Sequence, residues 1–174
     1  FKGDTLNFAT SGRSLTLTAG NQITTASTGT ITTNGGNISM YANDSIAFNN
    51  AFTLNSNGGA ILLNADRDAS GAGAIYLPST TINSAGGNIT MGGGNGAITT
   101  GSGYAAGTAS YQDGVRIGGT VNAAGGNIVV NGIGYAAPTN NYFSGVYLSG
   151  TLQNSGNGTT AIDGKMAGSF SGNH

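Results

Sequence analysis

The stretch Thr120-Val-Asn-Ala-Ala-Gly-Gly-Asn-Ile-Val-Val130 constrains what this chain can fold into more than any other. It joins two short apolar strands through a Gly-Gly-Asn corner. The same block recurs at 81–91, 52–63 and 31–40, and in weaker form at 11–17 and 152–159. A strand–corner–strand unit that returns along a chain marks a solenoid, in which each turn buries its apolar face only by stacking on its neighbours.

The stretch from 38 to 54 shows the unit most clearly. Ile38 and Met40, Ile46 and Phe48, and Phe52 and Leu54 are three i, i+2 pairs, each the inward face of a short strand. Later units repeat the triplet as Ile61/Leu63, Ile75/Leu77 and Ile82, then Ile89/Met91, Val115/Ile117 and Val121, then Ile128/Val130, Val146/Leu148 and Leu152. Extra residues at 64–74, 92–114 and 131–145 all fall between the first and second strand, so the insertions should line one edge of the stack. The expected fold is all-β: a right-handed parallel β-helix of about six three-strand rungs over 1–164, with 165–174 an irregular tail or inter-subunit segment. Asn37, Asn88 and Asn127 occupy equivalent corner positions and are expected to stack as an amide ladder. Helix is disfavoured, because the chain has no Glu, no amphipathic 3.6-residue period and 33 Gly. A sandwich of hairpins would share the frequent turn signals but not the three-strand unit.

Charged residues make up only 6% of the chain, against about 25% in an ordinary globular protein. The net charge of -1 and the regular apolar spacing argue against disorder driven by charge repulsion. There is no Cys, hence no disulfide framework and no thiolate metal site. Five scattered Lys and Arg make no basic patch for nucleic acid, and no apolar run is long enough to span a membrane. The chain opens at Phe1 and is read as a processed or excised segment whose export signal lies outside it, with an extracellular role.

Candidate sites are few. Asp44, Asp66, Asp68 and Asp113 fall at the inserted corner of successive rungs, where clustered carboxylates could serve acid–base chemistry. Arg116 is the charged residue of the rung strands, without a second base, so solvated turn Asp is the better explanation and no enzyme is expected. Asp66-Arg-Asp68-Ala-Ser70-Gly71 has the opening of a calcium loop, although the closing bidentate Glu is replaced by Leu77. A weak calcium site at Asp66, Asp68 and Ser70 is the one cofactor reading. The loops 103–115 and 134–146 match each other and place Tyr104, Tyr111, Tyr135 and Tyr142 on one edge, for stacking on sugars or a neighbouring rod, or for packing beneath their own loops. Leu6 and Phe8 at one end, and Met166 and Phe170 at the other, are candidates for end-to-end association. The pairs Thr16/Thr18 and Thr30/Thr32 keep an ice- or lattice-binding solenoid open, and a polysaccharide-active or carbohydrate-binding protein is a further alternative.

The short Gly-Gly-Asn-Ile turns and Gly-Val-x-Leu/Ile-x-Gly-Thr-Val/Leu strands, in 86–91 with 114–122 and in 125–130 with 145–153, resemble the repeats of large bacterial exoproteins of the filamentous-haemagglutinin type. The resemblance covers roughly 30–164. It implies a β-helical rod on the bacterial surface that acts in adhesion, aggregation or biofilm, with self-association, glycans or a host or neighbouring cell surface as partners.

Overall fold

The computed structural model describes residues 4–136 and 143–167. Strand β1 (Thr5–Ser11) precedes five three-strand turns. They are β2 (Leu15–Ala19), β3 (Ile23–Thr24) and β4 (Gly29–Asn34); β5 (Ile38–Ala42), β6 (Ile46–Ala47) and β7 (Phe52–Asn55); and β8 (Ile61–Ala65), β9 (Ile75–Leu77) and β10 (Thr80–Asn83). The fourth turn is β11 (Ile89–Gly93), the short β12 (Ala105–Ala106), β13 (Val115–Ile117) and β14 (Thr120–Asn122). The fifth is β15 (Ile128–Ile133), β16 (Val146–Leu148) and β17 (Thr151–Gln153), followed by β18 (Thr160–Lys165). Sheet A runs β1-β4-β7-β10-β14-β17, sheet B β2-β5-β8-β11-β15 with β12 and β18 also on β15, and sheet C β3-β6-β9-β13-β16. Neighbouring strands run parallel, as in a parallel β-solenoid.

The register puts like on like. Ile38, Ile61, Ile89 and Ile128 stack in one column of sheet B, and Met40, Leu63, Met91 and Val130 in the next. Ile31, Leu54, Ile82 and Val121 do the same in sheet A. All of these are buried, and Phe48 and Phe52 fill the corner between sheets C and A with ring centroids 5.1 Å apart. No strand could bury its apolar pair alone, so the stability of each turn depends on its neighbours.

The corner from sheet A to sheet B shows why the Gly-Gly pairs recur. Asn57, Ala85 and Ala124 adopt φ near +50°, and Gly58, Gly86 and Gly125 follow at φ +111°, +110° and +119°. The second glycine of each pair lies against the backbone of the turn before it. Inside the corner, the buried hydroxyls of Thr33, Ser56 and Ser84 each donate to the carbonyl three residues on. Each is also within reach of a carbonyl of the following turn. The fourth turn has Ala123 at this position. Ser84→Ala is therefore expected to fold and to lose about 1 kcal/mol, the net worth of one hydrogen bond, as read by urea denaturation.

Three features differ from the sequence expectation. The Asn column is not a side-chain amide stack: Asn37 Oδ1 accepts the Ala60 N–H (2.9 Å), Asn88 Oδ1 the Asn127 N–H (2.8 Å) and Asn127 Oδ1 the Thr159 N–H (2.8 Å). These side chains bond to backbone one turn on, and Ala60 interrupts the series. Part of the 92–114 insertion folds into the stack as β12, with Ala105 and Ala106 paired to Gly132 and Ile133 and an antiparallel bridge from Ala106 to Gly73. Finally, β18 pairs with β15 through Gly164 and Lys165, which carries the strand one residue past 164.

Candidate functional site

The insertions emerge at the sheet B to sheet C corner, as their spacing implied. The first is closed on Asp66, which is buried at 5% exposure with φ +50°. Its Oδ1 accepts from the Ser70 hydroxyl (3.0 Å), the Gly71 N–H (3.0 Å) and the Ala72 N–H (3.3 Å). Asp68 Oδ1 accepts the Ser70 N–H at 3.3 Å. The three residues named for calcium thus do come together, but the carboxylate of Asp66 points into its own loop and is occupied by donors. Leu77, at the closing position, is a core residue at 1% exposure. Among the described residues no three His, Cys, Asp or Glu side chains come together in one group. Asp44 accepts from Gln22 Nε2 and the Ser45 hydroxyl, both at 2.8 Å.

Among the described residues, the tyrosines named from the sequence are each engaged by another side chain. The Tyr104 hydroxyl donates to Asp163 Oδ2 (2.5 Å), and Lys165 Nζ lies 3.8 Å from its ring centroid. Tyr111 stacks on Tyr76 with centroids 4.9 Å apart. Tyr135 faces Phe143 at 6.4 Å, and Tyr142 lies outside the described residues. Each of these described rings is only partly buried; the partners of Tyr104 and Tyr111 come from other turns, and that of Tyr135 from its own loop. That pairing across turns has no signature in local sequence.

Sequence reading passed over Tyr76 and Tyr147. In sheet C, Arg116 is in register between them, and its guanidinium carbon sits 5.7 Å and 4.7 Å from their ring centroids. Cation–π attraction fixes the guanidinium between two rings. Arg116 also pairs with Asp113 at 3.7 Å. Burial pushes the Asp113 carboxyl above its ordinary value near 3.8, and the Ser144 N–H and Arg116 only partly offset this. The folded chain therefore holds this proton to higher pH than the unfolded chain. The contribution of Asp113 to stability is greatest below its ordinary range and falls as pH rises through the raised value. Asp113→Asn should flatten that part of the pH–stability curve, measured as urea midpoints across the acid range.

Beside sheet B, residues 96–98 overhang Tyr41, Leu62, Asn64 and Thr90 to leave a groove of about 470 Å³. A second groove of about 400 Å³ runs along the outer face of sheet A beside Thr5, Thr30, Thr53 and Thr81. Of the residues named for end contacts, Leu6 and Phe8 are half-buried in β1, Met166 is 49% exposed after β18, and Phe170 lies outside the described residues. Comparison with protein-family models, with curated proteins and with solved structures finds no match in any of the three.

Proposed function

We propose that this chain is a rigid, non-catalytic segment of a secreted bacterial surface filament or adhesin, with a mechanical and spacing role in adhesion, aggregation or biofilm. The observation that carries the reading is the state of the last strands. Leu148 of β16 and Ile162 of β18 continue the buried columns of Ile117 and Val130, yet they are 45% and 48% exposed. One more turn stacked there, from the same polypeptide or from another copy, would bury them and pair the open strand edges. The resemblance of the repeats to filamentous-haemagglutinin-type exoproteins supports the same role. Partners are then further solenoid turns, with glycans or a cell surface engaged from the sides. Negative-stain electron microscopy of the native material, with an intact mass of the denatured chain, tests it. Filaments with a chain mass near 17 kDa mean stacked subunits, and filaments with a much larger mass mean one long polypeptide. Discrete small particles refute it.

A carbohydrate-binding role is favoured by one observation: Tyr147, 40% exposed, lies over the fixed guanidinium of Arg116, a flat surface on which a sugar ring can stack. Glycan-array binding that disappears in Tyr147→Ala would support it, and an array with no hits would exclude it.

A further inference from the structure

The outer face of sheet A carries a regular lattice. The register aligns Thr5, Thr30, Thr53, Thr81, Thr120 and Thr151, one from each of six successive strands. Two residues along each strand a second uncharged column follows, through Asn7, Thr32, Asn55, Asn83, Asn122 and Gln153. Of the Thr pairs noted in the sequence, Thr30 and Thr32 lie on this face, one in each column, whereas Thr16 and Thr18 belong to sheet B.

Strand propensity does not explain the uniformity. Thr suits any exposed strand position, and cross-strand Thr pairs stabilise a sheet. That preference would act on all three sheets. The outward column of sheet B reads Thr16, Ser39, Leu62, Thr90, Val129 and Ala161, and that of sheet C reads Thr24, Ala47, Tyr76, Arg116 and Tyr147. Only sheet A repeats one side chain throughout. Thr5, Thr81 and Thr151 are exposed, and Thr30, Thr53 and Thr120 are half-buried. Among the described residues, none of the six hydroxyls is held by a hydrogen bond to the protein.

The dimensions are fixed by the fold. Rows repeat about every 4.8 Å along the solenoid, and the two columns stand about 6.7 Å apart, two residues of strand. A γ-methyl and a γ-hydroxyl recur at each node of the first column and, except at Thr32, a side-chain amide at each node of the second, with no charge in either column to impose a hydration shell of its own. A ligand that matches such a face must itself be a two-dimensional repeat of hydrogen-bonding groups. The row repeat is close to that between equivalent oxygens along one axis of hexagonal ice, whose surface offers donors and acceptors alternately. We infer that sheet A is an ice-binding face, on which the methyls hold lattice water in register and the hydroxyls and amides join its hydrogen-bond network. Adsorption at many points makes the ice front curve between bound molecules, which lowers the freezing point and arrests recrystallisation. The inference is independent of the rod reading, since a single copy carries the whole face.

The test is ice affinity and thermal hysteresis of the intact chain. The wild type should enter a slowly grown ice hemisphere and separate the freezing and melting points. Thr53→Tyr and Thr81→Tyr each place a bulky ring in the middle of the column and should lower hysteresis by at least about tenfold. Val129→Tyr, the same change on the outer face of sheet B, should leave it intact. Circular dichroism and thermal melting of each variant separate loss of the face from loss of the fold. A wild type excluded from ice overturns the inference, as do folded Tyr variants that keep full activity. Co-sedimentation of the wild type with microcrystalline cellulose or chitin, sensitive to Thr81→Tyr and without ice activity, also overturns it and assigns the face to a crystalline polysaccharide.

Discussion

Gly87→Ala is expected to stop this chain from folding, or to cost more than about 3 kcal/mol if it folds. A Cβ at Gly87 would stand 2.0 Å from the carbonyl oxygen and 2.4 Å from the carbonyl carbon of Gly59, one turn earlier. Gly59 stands in the same way against Gly36, and Gly126 against Gly87, at 2.1 Å and 2.0 Å from the carbonyl oxygen. The obstacle is backbone of the adjacent turn, so no rotamer change relieves it. Separating the turns would break the hydrogen bonds on either side of the corner. Gly20→Ala is the matched control. No heavy atom lies within 4 Å of its added Cβ and its φ is not left-handed, so the change should stay within about 1 kcal/mol and lean toward stabilisation. Urea midpoints for the two variants decide the matter, and equal midpoints would show that close stacking at the Gly column is not what the corner requires.

Ile89→Ala should cost about 2–5 kcal/mol with an unchanged m-value. Ile89 is fully buried between Ile61 and Ile128 in the column of sheet B. The void left by its side chain has backbone strands above and below, spaced by their own hydrogen bonds, so the site cannot collapse. Leu148→Ala removes a side chain of similar size from an inward column where no turn among the described residues stacks on it, and at 45% exposure it should change stability by about 0.5 kcal/mol. If the native material is filamentous, the Leu148 variant should become costly there, because the residue is then buried.

The three-strand turn was legible in the sequence because its signals are local. Ile38/Met40 and Ile61/Leu63 declare strands by their i, i+2 spacing, Gly58-Gly59 and Gly86-Gly87 declare the corner, and the insertions announce themselves as breaks in that rhythm. Contacts between turns were not legible. Tyr76 meets Arg116, and Tyr104 meets Asp163, only because register brings distant residues side by side. β12 has just Ala105 and Ala106 and owes its strand geometry to the edge of β15. The Thr column escaped notice for the same reason. Insertions of unequal length separate Thr53, Thr81 and Thr120 along the chain, and only the pairing of β7, β10 and β14 aligns them. Asp66 read as a cation ligand because its spacing is that of a calcium loop. The left-handed turn at Asp66 instead folds the following N–H groups back onto its own carboxylate.

The register of sheet A underlies both the solenoid and the lattice face, and one distance tests it. The chain has no native Cys, so Thr5→Cys/Thr151→Cys can be spin-labelled at those two positions alone. Five steps of about 4.8 Å put the two sites about 24 Å apart on the same face. Pulsed dipolar spectroscopy should give a single narrow distribution near that value, broadened by the label linkers. A broad distribution, or a maximum beyond about 40 Å, the reach of a stack of more than eight such steps, would contradict a continuous six-strand parallel column.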